Sequence, residues 1–183
     1  TYGSMFHLRA KIIGRSGAGR RSAAGAAAYR TGGRNGAAAA AYRAGEALRD
    51  ARTGRLFDYS RKAAIDADGF GVLHTEIMLP AGAPGWMADR QALIDAVEAR
   101  EIRSDAQLFR EIEVSLPREL TFEQQRELIQ DFVRTNFVSR GMVADIAIHD
   151  ERASDGGRNP HAHILLSLRG VTPEGFGAKE RSW

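Results

Sequence analysis

From Phe6 to Ile13 the chain alternates apolar and polar positions (Phe-His-Leu-Arg-Ala-Lys-Ile-Ile), a period of two that predicts a half-buried strand. A Gly, Ser and Arg loop follows over residues 14–21. Ser22 then stands as N-cap to an alanine-rich helix, Ala23–Arg30. The stretch Thr31-Gly-Gly-Arg-Asn-Gly36 interrupts it, because each glycine costs about 1 kcal/mol relative to alanine in a helix. Asn35 caps a second helix, Ala37–Asp50. The two helices carry near-copies of one phrase, Ala26-Ala-Ala-Tyr29-Arg30 and Ala39-Ala-Ala-Tyr42-Arg43, a local duplication.

Further on, Val72–Leu79 reads as a strand ended by Pro80, and Trp86–Arg100 as a helix on the spacing of Trp86, Leu93, Ile94 and Val97. Glu111–Leu116 alternates with Ile112, Val114 and Leu116 on one face. Thr121-Phe-Glu-Gln124 has capping-box spacing, and Phe122, Leu128, Ile129, Phe132 and Val133 extend an apolar stripe towards a stop at Gly141. Met142–His149 and His161–Leu168 are two strands joined by a polar Asp150–Pro160 connection, an order that favours antiparallel pairing. The predicted class is α+β: a central, mainly antiparallel sheet with helices packed on one of its faces. After Arg169 the Gly, Pro and Lys-rich tail loses periodicity. Residues 1–4, ahead of Met5, read as an expression remnant, and residues 5–183 as one domain of a longer protein.

Composition narrows the chemistry. The 183 residues include no cysteine, which excludes a disulfide framework, a thiolate zinc site and a cysteine nucleophile, and suits a reducing cytoplasm. Any metal ligands must offer nitrogen or oxygen. No apolar run approaches the roughly 20 residues of a membrane span, so a soluble domain without membrane insertion is expected. The net charge of +3 hides an asymmetry: residues 1–62 carry a balance of +10 and the remainder −7. Basic charge gathered at one end points to a polyanion, since each cation set against a phosphate releases condensed counterions. A solvated face without a partner would look the same.

Three of the five histidines, His149, His161 and His163, lie within 15 residues. In a strand, residues i and i+2 share a face, so His161 and His163 point together, and antiparallel pairing would bring His149 alongside. Three neutral imidazoles with an open position suffice for a catalytic divalent ion; the plainer alternative is a solvated polar face on an edge strand. His7 and His74 stand alone and read as structural. Tyr29 and Tyr42 each sit between alanines and an arginine, which leaves the phenol accessible and sets Arg30 or Arg43 beside it for a phosphate, although packed core aromatics fit the same pattern. Glu111 and Glu113 share a strand face, as do Asp145 and His149; a carboxylate there would fix the tautomer of a ligating histidine. The Ser22–Gly25 segment lacks the spacing and lysine of a P-loop, so nucleotide hydrolysis is not supported.

Several phrases together carry a resemblance: Arg20-Arg21-Ser22-Ala23 before Ala26-Ala-Ala-Tyr29-Arg30, Arg52-Thr-Gly54, Asp58-Tyr-Ser-Arg-Lys62, Arg110-Glu111-Ile-Glu-Val-Ser-Leu-Pro117, Gly141-Met-Val-Ala-Asp145, Ile148-His149 and Asn159-Pro-His-Ala-His163. Over essentially all of residues 5–183 the chain resembles the MobA/MobL family of plasmid relaxases, of the MOBQ type. The resemblance implies a histidine-hydrophobe-histidine (HUH) endonuclease domain that nicks one strand at a plasmid origin of transfer through a tyrosine and a 5′-phosphotyrosyl intermediate, for conjugative DNA transfer. It places the metal ligands on His149, His161 and His163, and Glu111 near them. It places the nucleophile on Tyr42, where helix-compatible sequence continues, or on Tyr29, or on both. The expected cofactor is Mn²⁺ or Mg²⁺, with Zn²⁺ or Ni²⁺ also compatible with imidazole ligands. Arg15, Arg20, Arg21, Arg30 and Arg43 would track the DNA backbone. The implied partners are single-stranded and hairpin DNA at the origin, accessory relaxosome proteins and a secretion coupling protein. Two other readings stay open: a rolling-circle replication initiator sharing the chemistry, and a DNA-binding module without catalysis. A metal-dependent hydrolase of a small substrate would leave the basic first third unexplained.

Overall fold

The computed structural model describes residues 7–14, 36–103 and 105–183. The helix expected over Ala23–Arg30, with Tyr29, Arg15, Arg20, Arg21 and Arg30, lies outside the described residues.

The elements run β1 (Leu8–Gly14), α1 (Gly36–Ala44), β2 (Ala47–Arg49), β3 (Leu56–Asp58), α2 (Ser60–Ala63), β4 (Gly71–Met78), α3 (Arg90–Arg100), β5 (Gln107–Ser115), α4 (Phe122–Asn136), β6 (Ala144–Arg152), β7 (Arg158–Leu166), β8 (Arg169–Thr172) and β9 (Gly175–Lys179), with single 3₁₀ turns at Gly85–Ala88 and Val138–Arg140. Five strands form the central sheet in the order β1-β5-β7-β6-β4, every neighbouring pair antiparallel. The strands that carry His149, His161 and His163, β6 and β7, are therefore central, where neither can be a solvated edge.

Strand alternation sorts the side chains onto two faces, and helices cover both, which corrects the expectation of one covered face. Ile112, Val114, Ile146, Ile148, Ala162 and Ile164 pack against Ile129 and Val133 of α4. On the opposite face, Ile13, Phe109 and Leu165 pack against alanines of α1 and Ile94 and Val97 of α3. Burying both faces removes more apolar surface from water, worth about 25 cal/mol per Å². Ala37, Ala39, Ala40 and Ala41 are wholly buried; with only a methyl each, they let α1 lie close on the sheet.

Local chemistry explains the remaining departures. Helix α1 stops at Ala44 rather than continuing to Asp50, because Gly45 takes a left-handed conformation (φ 65°) and the chain turns into the β2–β3 hairpin. The Trp86–Arg100 segment divides at Asp89, whose side chain caps α3 by accepting from Ala92 N at 2.8 Å. At α4 the capping box is complete: Thr121 accepts from Gln124 N at 3.2 Å and Gln124 accepts from Thr121 N at 2.9 Å. The polar 150–160 connection is mostly strand, since β6 and β7 stay paired out to Arg152 and Arg158. Beyond the core, ladder bonds form without apolar alternation, so the pattern does not mark them. The aperiodic tail is likewise a hairpin, β8–β9, anchored by Phe176 in the core and by Arg169 on Glu101 at 2.6 Å.

Candidate active site

Register decides which side chains meet. His149 of β6 lies directly opposite His161 of β7, and His163, two residues on, lies opposite Ala147 on the same face. The ring centroids stand 5.3 Å (149–161), 4.8 Å (149–163) and 5.0 Å (161–163) apart. One nitrogen from each ring falls within 4.8 Å of the others. All three rings are largely shielded: His149 is 3% and His161 7% exposed, and the His163 side chain 13%.

Hydrogen bonds show which nitrogen donates in two of the rings. His161 Nδ1 meets the Asn159 carbonyl at 3.0 Å, and because a carbonyl only accepts, Nδ1 carries a proton. His149 Nε2 meets the Arg43 carbonyl at 2.5 Å and by the same reasoning donates. His163 Nδ1 is buried with no hydrogen-bond partner among the described residues. Burial, reinforced by the neighbouring positive groups of His149, Arg43, His161 and Lys11, drives its pKa far below the ordinary 6.5, so this ring is neutral. Three buried imidazoles, with His163 neutral and its Nδ1 unbonded among the described residues, could hold a metal ion, and imidazole nitrogen suits a borderline divalent ion such as Zn²⁺ or Ni²⁺.

The close packing of α1 brings the backbone of its last turn to the histidines. Arg43 supplies the carbonyl held by His149, and Tyr42 is the residue before it. Tyr42 is half-buried, packs edge-to-face on Tyr59 with centroids 5.4 Å apart, and lies within electrostatic range of Arg43 and Lys11. Lys11 enters from β1, opposite Glu111 in register, and bonds it at 3.1 Å.

Arg43 is not displayed to a DNA backbone as expected. Its side chain is buried, where it donates to Glu111 and, through Nη1, to the Ala39 carbonyl at 2.9 Å. Burial lowers its pKa to about 10, against the pull of Tyr42, Glu113 and Asp145. Glu111, 1% exposed, is thus neutralised by two cations and sits with Oε2 3.9 Å from His163 Nδ1. Its donor atoms fall in range of Glu113 and His163, but the two cations already claim its carboxylate.

Asp145 departs from expectation too. It shares the face of His149, yet its carboxylate receives Arg90, at 2.9 and 3.1 Å from Nε and 3.0 Å from Nη2. Burial pushes the Asp145 carboxyl up, and Arg90 pulls it back. Arg90 also donates to Glu46, so α3 is tied to β6 and to the turn after α1. His74 lies on β4 near Phe122, with Nε2 3.2 Å from Glu76 Oε1, apart from the cluster of three. Sequence reasoning missed Lys11 and Arg90; their partners are 100 and 55 residues away, and no local pattern marks such pairs.

A model of the MobA/MobL family matches residues 34–182, which include all three histidines, Glu111 and Tyr42. The chain belongs to the MobA/MobL family. Among its relatives are a conjugal transfer protein TraA of Agrobacterium fabrum (strain C58 / ATCC 33970), 43% identical over 74% of this chain and 12% of that protein, and the mobilization protein MobL of Acidithiobacillus ferridurans, 39% identical over 97% of this chain and 46% of that protein. A probable mobilization protein MobA of Bifidobacterium longum (strain NCC 2705) is 37% identical over 73% of this chain and 22% of its own length. The chain therefore spans less than half of these MobA/MobL relatives. A solved structure reported as "Molecular Basis of Vancomycin Resistance Transfer in Staphylococcus aureus" superposes with a TM-score of 0.76 at 28% identity, covering 97% of this chain and 78% of that one. Among the described residues no helix is long and apolar enough to cross a membrane.

Proposed function

We propose that this domain cuts and rejoins one DNA strand at a plasmid origin of transfer, in support of conjugative mobilization. The observation that carries the reading is the bond from His149 to the Arg43 carbonyl, which joins a cluster of three imidazoles to the helical turn bearing Tyr42. In the proposed step the Tyr42 oxygen attacks the scissile phosphorus, a tyrosyl O–P bond forms, and the P–O3′ bond breaks. The phenol proton leaves to solvent and the departing 3′ oxygen takes one up. The products are a 5′-phosphotyrosyl enzyme and a free 3′-hydroxyl, and because one phosphodiester has replaced another, the reverse reaction reseals the strand.

His149, His161 and His163 would hold a divalent cation, Mn²⁺ or Mg²⁺ in the cell. When bound, it would supply Lewis-acid stabilisation of charge on the non-bridging phosphate oxygens. Packing of α1 on the sheet positions the phenol, and this preorganisation replaces the entropy cost of bringing nucleophile and phosphate together. Glu111 acts through Arg43, locking the last turn of α1, and does not touch the reacting atoms. Lys11, half-exposed beside that pair, offers a cation to the incoming phosphate. The basic segment containing Arg15, Arg20, Arg21 and Arg30 would follow the DNA backbone. Hairpin DNA at the origin, accessory relaxosome proteins and a secretion coupling protein would be the partners of the whole protein.

Incubation with an origin-containing single-stranded oligonucleotide and Mn²⁺, followed by denaturing electrophoresis, tests the reading. A covalent protein–DNA adduct is expected; its absence contradicts the nicking reaction. Tyr42→Phe should abolish the adduct and Tyr29→Phe preserve it, whereas the reverse outcome moves the nucleophile to Tyr29. EDTA should suppress the adduct in the unaltered protein.

A further inference from the structure

Beside the histidine cluster, a cleft of about 300 Å³ opens between the start of β4 and the end of β6, and His149 forms part of its wall. Val72 pairs with His149 in the β4–β6 ladder, so the cleft adjoins the cluster directly. Along its side the Arg152 guanidinium lies over the Phe70 ring at 4.3 Å and is steadied by Asp68 at 2.7 Å, leaving half of the Arg152 side chain exposed. Asp66 and Glu151 line the same space; Asp66 Oδ1 already accepts from Asp68 N at 2.9 Å and Phe70 N at 3.0 Å, and Asp150 is occupied by Arg158 Nε at 2.5 Å and Asn159 N at 3.0 Å.

The charges select the occupant. Arg152 is already matched by Asp68, so the remaining carboxylates would repel a phosphate. The Glu151 carboxylate and the second Asp66 oxygen are placed to accept hydrogen bonds from exocyclic amino groups, and a planar guanidinium over an aromatic ring offers a flat face to a flat ligand. A volume near the lower end for small-molecule pockets fits one such group.

We propose that this cleft is a nucleobase subsite, which takes the base of a nucleotide flanking the scissile phosphate, stacks it on the Phe70–Arg152 pair, and favours an amino-bearing base over thymine. The assignment rests on the DNA-nicking reading and adds to it a base-selective contact on the β4 side of the sheet.

Fluorescence anisotropy in EDTA, with labelled oligodeoxycytidylate, oligothymidylate and an abasic strand of equal length, tests it without any nicking. The protein should bind oligodeoxycytidylate about tenfold more tightly than the abasic strand, with oligothymidylate between them. Phe70→Ala and Arg152→Gln should each close most of that gap, and Phe70→Tyr should keep it; Arg152, at the surface, guards against a folding defect in the first variant. Equal binding of the abasic strand, or an unchanged gap in both Phe70→Ala and Arg152→Gln, overturns the subsite. A gap that these variants abolish, in a protein that forms no covalent adduct with origin DNA, upholds the subsite and defeats only the nicking reading. An adduct together with an unchanged gap defeats only the subsite.

Discussion

Arg43 meets the candidate site twice, through its carbonyl on His149 and through its guanidinium on Glu111. Replacing it with alanine removes one of the two cations that neutralise a carboxylate 1% exposed. Arg43→Ala should therefore cost about 3 kcal/mol, the lower end for breaking a buried pair, because Lys11 still faces Glu111. Chemical denaturation measures this, and an unshifted midpoint would show that the pair does not hold α1 down. The histidines make a second prediction at this scale. Isothermal titration with Mn²⁺ should give one site per chain, lost in His163→Ala, since His163 Nδ1 has no hydrogen-bond partner among the described residues. These three residues were legible in the sequence because strand alternation and one antiparallel pairing sufficed to bring them together. Arg43 and Asp145 were not, because the partners that claim them, Glu111 and Arg90, come from strands and helices far along the chain. A charged residue next to a candidate tyrosine or histidine reads as serving it until the fold supplies a closer counter-ion.

Helix α4 was legible to the residue at its start, since its capping box is a purely local device. Thr121→Ala should lower stability by about 1 kcal/mol, read from the thermal midpoint. The β8–β9 hairpin was invisible because glycines erase the alternation, and what fixes it is tertiary: Glu101, at the C-terminal end of α3, receives Arg169 at 2.6 Å and Lys179 at 3.3 Å. Burial raises the Glu101 pKa, but the two cations outweigh it and hold the carboxyl below its ordinary value of 4.5. A carboxyl depressed in the folded state stabilises it fully above the unfolded pKa and loses that contribution as pH falls through the folded one. The thermal midpoint should thus drop as pH falls below the ordinary carboxyl value of 4.5, and less steeply in Glu101→Gln. Identical slopes in the two proteins would dismiss the anchor. The early end of α1 has the same lesson: alanines argue for more helix, yet Gly45 at φ 65° turns the chain and sets the last turn, with Tyr42 and Arg43, against the strands.

At the scale of the whole molecule, two features read from the sequence come together: an antiparallel sheet and a charge balance of +10 in residues 1–62. Covering both faces of the sheet was not foreseen, because an apolar helix stripe shows that a face is buried without showing which layer buries it. If the basic segment follows single-stranded DNA, log affinity should fall linearly with log salt, and replacing Arg15, Arg20 and Arg21 together with alanine should make that slope shallower by about two. Three imidazoles, held to the Tyr42 turn, are proposed to form one cation site. The most direct measurement is anomalous diffraction from crystals of this domain soaked in Mn²⁺. A single strong peak bounded by the rings of His149, His161 and His163 is expected; the absence of a peak there, with manganese bound elsewhere or nowhere, would contradict that site.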